Sequence, residues 1–380
     1  MKTRTVAYLA CLLLLEALMW TCCPVSSAAE GHEDGAEAAE RPVAASHESI
    51  DRWVRQLGDR EVRVREEATE ALIEAGAPAV SALMAAQEGP HAEVRYRATQ
   101  ILRQIESRAA KELENHGAEV QWSDDGWVRY VSFRQHYYHK GPVEDPGAEH
   151  LQALPNLEIL ELCFTETEDE DLVHIRALRK LDTLQLHDTK ISDDGLRHLT
   201  GLKNLHKLNV GYTRVTGTGL SYLKELPNLR FLSLSGAQVT DESLAAVSRL
   251  VHLKGLGLGG KGIDDAALVH LRGLTELDAL RIDEAGITDR GLAHLRALPR
   301  LTALFVESEY ITDAGIQHLG ELKGLQQLTL KNTQVTPRGV EGLRDLPRLR
   351  TLIVDCTPCS HDELAALREA LPRTRIQWEP

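Results

Sequence analysis

The stretch that decides the fold reads Leu196-Arg197-His198-Leu199-Thr200-Gly201-Leu202-Lys203-Asn204-Leu205-His206-Lys207-Leu208-Asn209-Val210. Leu196, Leu199 and Leu202 recur at helical spacing and share one face. Leu205 turns the chain inward. Leu208 and Val210 then alternate on a short strand, with Asn209 on the opposite side. Val215 returns to the core, and Thr216 stands where it can cap the next helix.

The same pattern returns every 24 residues from Ala148 onward. Its first helical apolar position is filled in turn by Ala148, Leu172, Leu196, Leu220, Leu244, Leu268, Leu292, Ile316, Val340 and Leu364, without a slip. Such a fixed period marks a solenoid, in which each unit buries its apolar face only against its neighbours. The cap position carries Ser192, Thr216, Thr240, Asp264, Thr288, Thr312, Thr336 and Ser360. Asp193, Asp241, Asp289 and Asp313 follow it, where a helix N-terminus favours negative charge.

The unit Leu-x-x-Leu-x-x-Leu-x-Leu-x-x-Thr-x-Ile-Thr-Asp-x-Gly-Leu resembles the leucine-rich-repeat family, in its bacterial, cysteine-containing-like subtype. The resemblance implies an α/β solenoid, a horseshoe with parallel inner strands and outer helices, and members of the family usually bind proteins. Strand ends here are poor in cysteine, which departs from that subtype; only Cys163 and Cys356 lie beside a strand.

Upstream, Val64-Arg65-x-x-Ala68-Thr69-x-Ala71-Leu72 corresponds, 30 residues on, to Val94-Arg95-x-x-Ala98-Thr99-x-Ile101-Leu102. Gly76 can end one helix and Pro78 can start the next. The segment resembles short HEAT-like repeats, so a small all-α region precedes the solenoid. The resemblance puts Arg65 and Arg95 at a position that usually serves structure; a charged groove for a partner is the alternative.

The chain divides into a secretory signal peptide (1–29), a disordered acidic linker (30–47), the HEAT-like helical region (48–116), a capping hairpin with an insertion loop (117–147) and the repeat solenoid (148–380). Lys2 and Arg4 precede the apolar run Leu9 to Trp20, and Ala28 or Ala29 suits cleavage. The run is short for a membrane span, so contact with a membrane is expected only through an uncleaved or lipidated N-terminus. Asp125-Gly126 lies between apolar runs, a hairpin signal. His136-Tyr137-Tyr138-His139 falls in the insertion, read as a loop with a contact role or none.

Strand alternation sorts the inner face into columns. One contains Lys207, Phe231 and Gly255; a second Asn209, Gly257, Arg281 and Phe305; a third Gly259, Asp283 and Glu307. Core positions are repetitive, whereas these vary, as an adaptable binding face would. Gly255, Gly257 and Gly259 leave one unit's wall bare, flanked by Phe231, Arg281 and Phe305. A shallow notch with exposed anchors is the expectation. Neutral glycine drift with scattered apolar exposure would give the same residues.

The acidic balance, a net charge of −14, repels phosphate backbones, so nucleic acid is not an expected partner. Gly255 to Gly260 lacks the Lys-Ser/Thr of a phosphate loop. His150, His174, His198, His270, His294 and His318 share one repeat position, but neighbouring helices stand too far apart for routine zinc ligation. The acidic run from Glu166 to Asp171 lacks the EF-hand pattern. Cys356 and Cys359 are incidental or form one local bridge. No cofactor, metal or catalytic group is expected. The function read is a monomeric, non-catalytic protein-binding scaffold exported to the periplasm or cell envelope, its ligand on the concave face. A structural or carbohydrate-contacting envelope component is the alternative, and a hydrolase with an atypical site a further one.

Overall fold

The computed structural model describes residues 45–355 and 360–379. The signal peptide, nearly all of the acidic linker and the Cys356/Cys359 pair lie outside the described residues. No helix among the described residues is long and apolar enough to cross a membrane.

Four helices come first, His47–Gln56, Val62–Ala75, Val80–Gln87 and Ala92–Asn115, the third entered through a 3-10 turn at Ala77–Ala79. Ser46 starts the first by accepting from Ser49 N–H at 3.2 Å. Gly76, at φ 63°, ends the second. The 30-residue correspondence is repeated in geometry. Ala68 and Ala98, Leu72 and Leu102 are all buried. Arg65 Nη1 donates to the carbonyls of Asp59 and Arg60, and Arg95 Nη1 to those of Gly89 and Pro90. Both arginines therefore brace the turn that precedes their own helix.

The hairpin forms as expected, from β1 (Glu119–Trp122) and β2 (Val128–Ser132), antiparallel, with Gly126 at φ 77° in the turn. β2 then pairs in parallel with β3 (Ile159–Glu161), so the hairpin covers the first repeat's edge. Glu106, on the fourth helix, joins it from below: Val128 N–H donates to Oε1 at 3.1 Å. Glu106 is 0% exposed and its Oε2 has no hydrogen-bond partner among the described residues. Burial pushes its pKa up to about 8.

The insertion departs from the expected loop. Arg134–Lys140 is a helix, seated on the fully buried Phe133 and stopped by Gly141 at φ 93°. Left-handed glycine at that position satisfies the helix end.

The remaining strands continue one sheet in chain order: β4 (Thr183–Gln185), β5 (Lys207–Asn209), β6 (Phe231–Leu234), β7 (Gly255–Gly259), β8 (Ala279–Asp283), β9 (Ala303–Glu307), β10 (Gln327–Lys331), β11 (Thr351–Asp355) and β12 (Arg375–Glu379). All pair in parallel with residues 24 apart in register, as Leu208↔Leu232 and Leu256↔Leu280. A leucine stack lies behind the sheet: Leu184, Leu208, Leu232, Leu256, Leu280, Leu304 and Leu328 are each at most 2% exposed. The outer segments differ along the array. Gly195–Gly201 and Thr218–Glu225 are 3-10 helices, and α-helices such as Asp241–Val247 and Asp313–Leu319 appear only later.

Part of that change lies in the caps. Thr288 and Thr312 accept from Arg290 and Ala314 N–H. Thr216 does not cap; its hydroxyl donates to Asp193 at 2.6 Å. The aspartates after the cap have a job that charge complementarity alone did not suggest. Asp169, Asp265, Asp289 and Asp313 each accept from the N–H and the hydroxyl of the Ser or Thr of the following unit. A Cβ at Gly315 or Gly339 would collide with the carboxylate of Asp289 or Asp313. The glycine of Thr-Asp-x-Gly-Leu is thus set by the aspartate of the unit before it.

Candidate ligand-binding face

The inner columns align as the alternation predicts. Lys207, Phe231 and Gly255 are neighbours across β5, β6 and β7. Asn209, Ser233, Gly257, Arg281 and Phe305 follow one another across β5 to β9. Gly259 lies beside Asp283.

Exposure does not follow the expectation. Gly255, Gly257 and Gly259 are buried, Phe305 is 4% exposed and Arg281 3%. Phe231 is half-buried, its ring laid over Gly255: a Cβ there would lie 2.6 Å from Cδ1. Asp283 crowds Gly259, whose Cβ would meet the Asp283 carbonyl at 3.1 Å. The bare notch is therefore filled. Strands stand about 4.8 Å apart, so a large side chain beside glycine lies down into the space.

What fills it is ordered. The Arg281 guanidinium stacks 3.9 Å from the Phe305 ring centroid. Its Nε donates to Asp283 Oδ2 at 2.7 Å, and Nη2 lies 2.7 Å from Oδ1. Ser235 Oγ donates to Asp283 Oδ2 at 3.0 Å from two strands away. Planar guanidinium on carboxylate with aromatic backing suits arginine and not lysine. Arg281, Asp283 and Phe305 are thus the floor of the face and not its protruding anchors. Lys207 is half-buried, its Nζ 5.9 Å from the Phe231 centroid, while the buried Asn209 accepts from Gly211 N–H at 3.0 Å. Glu307 is half-buried. Burial, then the charges of Asp283 and Glu284, raise its pKa.

A second feature escaped the sequence reading. At the strand ends four rings form a row: Tyr137 stacks on Phe164 at 4.0 Å, Phe164 meets His187 edge-on at 5.3 Å, and His187 meets Tyr212 at 5.0 Å. Tyr137 comes from the insertion helix, which brings one member of His136-Tyr137-Tyr138-His139 to the rim; its neighbour Tyr138 is 49% exposed. Burial, then Arg134, lower the pKa of His187 to about 4. The row rests on a left-handed turn repeated at Phe164, Asp188, Tyr212, Gly236, Gly260, Glu284 and Asn332. Gly236, Gly260 and Asn332, residue types that tolerate positive φ, were the available signal. Beside the row, Tyr130 and Ser132 hydroxyls donate to Glu161 Oε2 at 2.9 and 2.8 Å.

On the convex side the histidine row is half-buried, with the His116 and His150 rings 6.1 Å apart. Among the described residues no group of three or more His, Cys, Asp or Glu could hold a metal.

Residues 216–375 match the family model of the leucine-rich repeat region. The solenoid is a leucine-rich-repeat domain. The units from Ala148 to Val215 share its frame and complete the repeat array. Among solved structures, the chain is similar to internalin C2 of Listeria monocytogenes at 24% identity and TM-score 0.41, covering 55% of this chain and 83% of that one. It is similar to a leucine-rich-repeat protein of Leptospira interrogans at 25% identity and TM-score 0.42, covering 62% of this chain and 57% of that one. It is also similar to a TDR receptor at 20% identity and TM-score 0.43, covering 72% and 45%. No curated protein matches the chain. The leucine-rich-repeat fold implies a protein-interaction scaffold.

Proposed function

We propose that this chain is a non-catalytic protein-binding scaffold exported to the cell envelope, with its ligand on the concave strand face. The observation that carries the reading is a chemically varied inner face fixed above a uniform leucine core. Polar groups of its floor are held by bonds within and between strands, as in the Arg281–Asp283–Ser235 set, so they need little ordering when a ligand arrives. Lys207, Phe231 and Glu307 form the contact layer. Asn209, Arg281, Asp283 and Phe305 form the floor, and Gly255, Gly257 and Gly259 give that layer room to lie flat.

Export rests on the charged and apolar pattern of residues 2–29. Mass measurement of the chain from an envelope fraction tests it: a mature N-terminus near Ala28 or Ala29 supports export, and an intact Met1 in a cytosolic fraction contradicts it. Affinity capture from envelope extract tests the binding reading. One stoichiometric protein, lost with Lys207→Glu and Phe231→Ala, supports it. The ring row at the strand ends favours a second reading, a glycan-contacting envelope component. Retention of glycan without protein would select that one.

A further inference from the structure

A groove of about 520 Å³ runs between the helical region and the outer side of the first repeats. Its apolar lining includes Pro78 and Met84 from the helical side and Pro155 and Val173 from the solenoid. His174, Arg176, Arg179 and Lys180 also line it, and no carboxylate does. Arg176, Arg179 and Lys180 are exposed, and none forms an ion pair among the described residues. Lys180 Nζ donates only to the neutral Asn156 Oδ1, at 2.7 Å.

This gathering of uncompensated cations is against the balance of the chain, in which 57 acidic residues outnumber 43 basic ones. Some exposed cations elsewhere are matched, as Lys203 is by Glu225 and Arg296 by Glu321. Like charges in one groove repel until a counter-charge enters. An incoming anion therefore gains attraction and relieves that repulsion. The apolar part of the lining adds area that a fully hydrated ion would not use.

We propose that this groove docks an acidic, partly apolar peptide segment of a partner protein. The segment sets carboxylates against Arg176, Arg179 and Lys180 and an apolar side chain against Met84 and Pro155. A nucleic acid does not fit, because no Phe, Tyr or Trp lines the groove to stack a base and the acidic chain repels a long polyanion. The site is separate from the concave face, so either can fail without the other.

Fluorescence anisotropy with the full chain and a short labelled peptide of alternating glutamate and leucine tests it. The expected result is binding that weakens as salt rises. It should fall about tenfold or more in the variant Arg176→Glu, Arg179→Glu, Lys180→Glu. Should those reversals lower the melting temperature, the neutral set Arg176→Gln, Arg179→Gln, Lys180→Gln gives the same readout with a smaller loss. Equal binding of a lysine–leucine peptide, unchanged affinity in both variants, or capture by anionic phosphatidylglycerol vesicles with none of the peptide would each overturn the proposal.

Discussion

Asp289 of one repeat holds Thr312 of the next through two hydrogen bonds, accepting from its N–H at 2.8 Å and from its hydroxyl at 2.7 Å. The same clamp joins Asp265 to Thr288 and Asp313 to Thr336. In a solenoid, stability comes from such nearest-neighbour interfaces.

Asp289→Ala should therefore lower unfolding free energy by about 1–3 kcal/mol, the cost of leaving partly buried donors unmatched. Gly315→Ala should also destabilise, since its new methyl meets the Asp289 carboxylate. Combined, the two should cost less than their sum, because removing the carboxylate opens the space. Denaturant melts of the four proteins check this; strict additivity would break the coupling.

Glu106 should make stability depend on pH in the alkaline direction. Its folded pKa, about 8, lies above the unfolded value of 4.5, so its contribution is full below pH 4.5 and is lost as pH rises through about 8. The slope from this group is roughly 1.4 kcal/mol per pH unit in that window. Glu106→Gln keeps an acceptor for Val128 N–H and should flatten the slope, with its largest gain above pH 8. Urea melts at a series of pH values measure it.

His187 should act on the acid side. Its pKa falls from 6.5 to about 4 on folding, so its contribution is present above pH 6.5 and is lost as pH drops through about 4. His187→Phe keeps a ring between Phe164 and Tyr212 and should remove this acid loss. An acid limb unchanged in the variant would show that other groups set it.

The floor and the contact layer should separate on mutation. Phe305→Ala empties a buried site and should cost about 3–5 kcal/mol. Asp283→Ala strands a buried guanidinium and should cost a similar roughly 3–5 kcal/mol. Phe231→Ala, at a half-buried position, should cost less and spare the fold. Thermal melts rank the three.

The frame, the strand register and the hairpin were legible because leucine spacing and Asp125-Gly126 carry them locally. The notch was misread because alternation tells which way a side chain leaves the strand and not where its end comes to rest. Phe231 leaves toward the inner face and then lies over Gly255. The Asp289–Thr312 clamp was hidden as helix-end charge because its partner lies 23 residues on. The ring row was hidden because Phe164 and Tyr212 adopt positive φ without being glycine.

The central claim is that the concave layer of Lys207 and Phe231 takes the ligand. The most direct measurement is the affinity of the captured envelope protein for wild type and for Lys207→Glu with Phe231→Ala, both confirmed folded by melting. A loss of about tenfold or more is predicted, as for a central aromatic anchor and its charged neighbour. Undiminished affinity in the folded double variant would contradict the claim.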